Sequence, residues 1–66
     1  MDKKATLEAL ISRCFAARMT VAQVCDRAGV SRATVSYWKA DPERMTGPTV
    51  GKLEDALAAI EAERAA

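Results

Sequence analysis

Thr20-Val21-Ala22-Gln23-Val24-Cys25-Asp26-Arg27-Ala28-Gly29-Val30-Ser31-Arg32-Ala33-Thr34-Val35-Ser36-Tyr37-Trp38-Lys39 is the stretch from which the rest of the chain can be read. Thr20 with Gln23 has the form of a capping box, in which the hydroxyl accepts from the third backbone N–H and the amide side chain reaches back to the Thr N–H. Val21, Val24, Cys25 and Ala28 follow at helical spacing. Gly29 then ends the segment, because glycine takes the positive φ of a helix-terminating residue without steric cost. Val30 bridges to Ser31, a good N-cap, and a further helix is predicted from there to about Ala40. Two short helices thus meet at a tight turn of roughly 100°. Val24, Ala28, Val30, Val35 and Trp38 supply their shared core, and Cys25 is small where the next helix crosses close to its Cβ.

Upstream, Leu7, Leu10, Ile11, Cys14 and Phe15 recur at i, i+3, i+4, i+7 and i+8. This is the stripe of an amphipathic helix with one buried face. Asp2 or Thr6 would cap it, and it fades near Arg18. Downstream, Asp41-Pro42-Glu43-Arg44 stops the third helix and suits a single helical turn of its own. A fourth helix, over about 48–63, carries Val50, Leu53, Leu57 and Ile60 with an alanine-rich flank. The reading is an all-α, single-domain chain over residues 1–66, compact, with four helices or at most five.

Composition excludes several classes. Half of the 66 residues are hydrophobic and 29% are charged, too apolar for a disordered segment. No apolar run approaches the roughly 18 residues of a membrane span, nor is there a leader-like apolar region at the start, so a cytoplasmic location is expected. With no His and with Cys14 and Cys25 standing apart, neither a metal nor a cofactor site is expected, and the thiols read as reduced core residues. There is no nucleophile–base pair and no phosphate-cradling glycine loop, so the chain is not expected to be an enzyme. The net charge is only +1, yet it is unevenly spread. Residues 1–39 hold seven cations against three acids, a net +4, and residues 40–66 hold three cations against six acids, a net −3. The acids of the last helix are expected to point away from any polyanion bound by the first half.

On the wheel of the third helix, Val35 and Trp38 face the core. Ala33, Ser36, Tyr37 and Ala40 lie opposite with Arg32 on the flank, a face without a single acid. Together with Gly29-Val30-Ser31-Arg32-Ala33-Thr34-Val35-Ser36-Tyr37-Trp38, this pattern resembles the helix-turn-helix of the lambda-repressor/Cro-like family, over residues from about 5 to 60. The resemblance implies that the third helix enters the major groove of double-stranded DNA. Carried over by position, Arg32, Ala33, Ser36 and Tyr37 would face base edges, with Ser31 at the helix entrance. Arg32 would pair bidentately with guanine. Thr20, Gln23, Thr34, Lys39, Arg44 and Lys52 would touch phosphates. The chain departs from the family where Val21 replaces a frequent Gln, and where Cys14 and Lys39 replace an Arg–Glu pair.

The family's frequent fifth helix is not expected here, and a homodimer through the fourth helix is, with Leu57, Ala59 and Ile60 near its axis. Two recognition helices would then lie about 34 Å apart on a pseudo-palindromic operator. The functional expectation is a phage- or prophage-type repressor that blocks transcription by occupancy, with no small-molecule ligand and no membrane partner. The alternative is a protein-interaction module, an antitoxin-like or antirepressor-binding partner, that uses the same fold and docks through its fourth helix.

Overall fold

The computed structural model describes residues 2–65; Met1 and Ala66, the ends of the expected domain, lie outside them. Helix α1 spans Lys3–Ala16, α2 Val21–Ala28, α3 Arg32–Ala40 and α4 Gly47–Ala65, with a 3-10 turn over Pro42–Arg44 between the last two. The chain is therefore all-α, with four helices among the described residues. No helix is long and apolar enough to cross a membrane among the described residues.

Local chemistry sets most of these limits. Asp2 caps α1 by accepting from the Ala5 N–H at 3.2 Å. The capping box of α2 is complete, with the Gln23 N–H donating to Thr20 Oγ1 at 3.1 Å and the Thr20 N–H to Gln23 Oε1 at 2.9 Å. Ser31 caps α3 by accepting from the Ala33 N–H at 3.3 Å. Asp41 caps the 3-10 turn, with Pro42 at its first position, where the missing N–H costs nothing.

Helices α1 and α2 end in the same way but with different residues. The Met19 N–H donates to the Cys14 carbonyl and Arg18 to Phe15, just as Val30 donates to Cys25 and Gly29 to Asp26. Both are Schellman motifs, which need a left-handed residue after the helix. Gly29 takes φ 71° in one, and Arg18 takes φ 58° in the other. For a residue with a Cβ that conformation costs about 1–2 kcal/mol. Arg18→Gly is accordingly expected to stabilise the domain by about 1 kcal/mol and to raise the melting temperature by about 4–8 °C, as read by thermal circular dichroism. Gly29→Ala should lower it by a similar amount. A Cβ at Gly29 would meet nothing within 4 Å, so only the backbone conformation is at stake there.

The core is formed by Leu7, Leu10, Cys14 and Ala17 from the first helix and its turn, Val24, Cys25, Val35 and Trp38 from the helix pair, and Met45, Leu53, Leu57 and Ile60 beyond it. Helix α4 packs on α1 and α2, whereas α3 packs on α2 and the 3-10 turn. Helix α3 thus sits at the edge of the bundle with one face free. Both cysteines are buried free thiols, and burial pushes each pKa up, so they stay protonated and inert at neutral pH.

Two expectations about the core are corrected. Phe15 is not in the buried stripe; it is 84% exposed. The buried residues of this segment are Leu7, Leu10, Cys14 and Ala17, and at about 100° per residue Phe15 lies about 120° from their centre, beyond half-buried Ile11. The Schellman turn brings Ala17, not Phe15, in to close that end. Leu57 and Ile60 are not available to line a dimer interface either: they are 0% and 2% exposed within the single chain. Helix α4 has one apolar stripe, and the chain's own core uses it. Ala59, on the other side of the helix, is exposed.

Candidate nucleic-acid interface

Val35 and Trp38 anchor α3 from below, which leaves Arg32, Ala33, Ser36, Tyr37, Lys39 and Ala40 exposed and Thr34 half-buried. Ser31, also exposed, spends one lone pair on its cap and keeps its hydroxyl proton to donate. All five residues expected at base edges thus share one accessible surface. Ala33 and Ser36 give it a low profile between Arg32 at one end and Tyr37 at the other.

Those two longer side chains are held by neighbours. Arg32 donates through Nε to Asp26 Oδ1 at 3.1 Å and through Nη2 to Asp26 Oδ2, a side-on fork across the turn at Gly29. The hydrogen bond from Arg32 holds the Asp26 carboxyl below the usual carboxylate range, and Asp26 in turn raises the Arg32 pKa. Tyr37, 59% exposed, has the Arg44 guanidinium over its ring at 6.0 Å, at the outer limit of a cation–π contact. Arg44 Nε also lies 3.8 Å from Asp41 Oδ2. The structure therefore joins Tyr37 to Arg44 and Thr20 to Gln23. Thr34, Lys39 and Lys52 make no hydrogen bond or ion pair through their side chains to another candidate among the described residues.

The capping box limits what Thr20 and Gln23 can offer. Their acceptor oxygens are engaged, and the Thr20 O–H and the Gln23 Nε2 remain as donors. Donors are what phosphate oxygens require, and the first amides of α2 lack intrahelical partners.

Ion pairs join the basic half to the acidic half. Arg13 donates to both carboxylate oxygens of Glu61, through Nε at 3.1 Å and Nη2 at 2.6 Å. Arg27 likewise binds Glu63 at 2.9 Å, and Lys3 lies 3.7 Å from Glu43. The end of α4 thus folds its acids onto cations of α1 and α2. Arg13 lowers the pKa of Glu61 through this hydrogen bond. Among the described residues Lys4, Arg18, Lys39, Lys52 and Arg64 have no ion pair, and of these Lys39 lies on α3 and Lys52 on α4. Arg32 and Arg44 have only exposed ones.

Sequence reasoning missed Asp26. The signal was present, an acid six residues before an Arg, but within one helix such pairs are sought at i+3 or i+4. Only the turn brings the last turn of α2 over the first turn of α3. Comparison with protein-family models, with curated proteins and with solved structures finds no match for this chain.

Proposed function

We propose that this chain is a small sequence-specific DNA-binding regulator that lays the outer face of α3 in the major groove. The observation that supports the reading best is that face itself. It is exposed, contributes no acid of its own, and is built from small residues between a guanidinium and a phenol. An ordinary solvated helix face would carry paired Glu and Lys instead. Thr20, Gln23, Lys39, Arg44 and Lys52 are the phosphate donors in this reading. Two copies on a pseudo-palindromic operator, acting by occupancy as a Cro-type repressor does, complete it.

Selection of bound sites from random duplex DNA tests the proposal. The expected product is one motif with two related half-sites, centred about 10–10.5 base pairs apart or a multiple of that. Three cations, Lys39, Arg44 and Lys52, serve phosphates, so the salt dependence should be shallow, with a slope of log K against log salt of about −2.7 per protomer. If no sequence is enriched over random duplex, the reading fails.

Exposed Phe15 favours a second reading, a protein-docking module. That module would not dock through the apolar stripe of α4, which is buried. A chain that enriches no DNA but forms a tight protein complex abolished by Phe15→Ser would be such a module.

A further inference from the structure

We propose that Asp26 is a positioning residue that turns Arg32 from a phosphate ligand into a reader of guanine. The inference rests on the DNA-binding reading above and concerns how that surface selects a base. A guanidinium has five N–H groups in a rigid fork. Asp26 accepts from Nε and from one N–H of Nη2, the side-on edge. Both N–H groups of Nη1 and the second of Nη2 have no hydrogen-bond partner among the described residues. That end-on edge is itself a two-donor fork, the pattern that fits guanine O6 and N7. The side chains of the pair are 65% and 53% exposed, so a base edge can approach without displacing the carboxylate.

Three features argue that Asp26 is there to position Arg32. It stands in the last turn of α2 (Val21–Ala28), where the helix dipole disfavours a carboxylate. It also borders a surface meant for a polyanion, where its charge subtracts from affinity. As a stabiliser, an exposed pair of this kind contributes little. In return, Arg32 is held in one orientation before it binds, which cuts the side-chain ordering cost of recognition. Asp26 also cancels the charge that would draw Arg32 to phosphate, leaving geometry rather than net attraction to decide its partner.

The test measures binding of the wild-type chain, Asp26→Ala, Asp26→Asn and Arg32→Ala. The duplexes are the selected operator, its variants at the guanine assigned to Arg32, and random sequence, with melting curves as the folding control. Wild type should prefer guanine by about tenfold or more. Asp26→Ala should retain its fold, reduce that preference to about threefold or less, and bind random duplex a few-fold more tightly, roughly as loss of one acid near phosphates requires. Asp26→Asn, which keeps an acceptor but loses the charge, should fall between. Arg32→Ala should lose the preference without the gain on random duplex. A folded Asp26→Ala that keeps the full guanine preference overturns the positioning role while leaving the regulator intact. A wild-type chain that enriches no site overturns the regulator, and this proposal with it.

Discussion

Leu57→Ala is expected to remove about half of the stability of the domain, at every protein concentration. A 66-residue chain has about 3–10 kcal/mol of stability in hand, at roughly 0.05–0.15 kcal/mol per residue. Truncating a buried leucine costs about 2–5 kcal/mol, more where the surroundings cannot collapse into the space. Leu57 is 0% exposed, and α4 packs on both α1 and α2, so the gap would open at the centre of the bundle. Urea unfolding followed by the fluorescence of Trp38, the single tryptophan and itself buried, reads the loss directly. The same experiment separates the core role of Leu57 from an interface role. A residue at a dimer axis would give a midpoint that recovers with concentration, whereas a core residue gives a shift independent of it. Ala59→Ser, on the exposed side of the same helix, should change stability by no more than about 0.5 kcal/mol.

Ala33→Glu should do the opposite: leave the fold intact and abolish operator binding. Ala33 is exposed in the first turn of α3, where an acid suits the helix dipole, so stability should hardly change. On DNA the new carboxylate would face base edges and phosphates, and Arg32, the cation adjacent to it in the chain, is already paired with Asp26. Like-charge juxtaposition at an interface costs several kcal/mol, and about 3 kcal/mol is already more than a hundredfold in affinity. A matched substitution on α1, Ala9→Glu at another exposed position, should lower affinity only slightly. Gel-shift titration of the two variants on the selected operator, with melting curves alongside, checks the pair. Equal losses in both would mean that α3 is not the surface that meets DNA.

The elements were legible from the sequence wherever their limits are chemically local. The Thr20–Gln23 box, the Gly29 stop, the Ser31 cap and the Asp41-Pro42 turn each involve residues within about four positions of one another. The structure places all of them as read. The turn that ends α1 is less legible, because Arg18 gives no sign that it takes the role that Gly29 takes openly. A left-handed arginine is tolerated because the two turn hydrogen bonds and the burial of Ala17 compensate for it. The exposure of Phe15 is not legible for the same reason, since a five-residue apolar stripe does not reveal which of its edges the next turn covers.

The candidate surface was legible in its residues but not in their pairing. The wheel of α3 separates Val35 and Trp38 from Arg32, Ala33, Ser36 and Tyr37, and the exposures follow that division. The partner of Arg32 lies across a turn. The partners of Arg13 and Arg27 lie 48 and 36 residues away, where spacing carries no information.

The sequence by itself determined four amphipathic segments, their caps and stops, and an outward face on α3, because those follow from residues close along the chain. Tertiary structure alone decided that the stripe of α4 is spent inside the chain's own core. It also decided that Glu61 and Glu63 of α4 pair with Arg13 and Arg27, and that Asp26 holds Arg32. Each of these is a competition between distant partners for one surface or one charge. Such competitions are settled by which groups the packed helices bring within reach, and not by pattern.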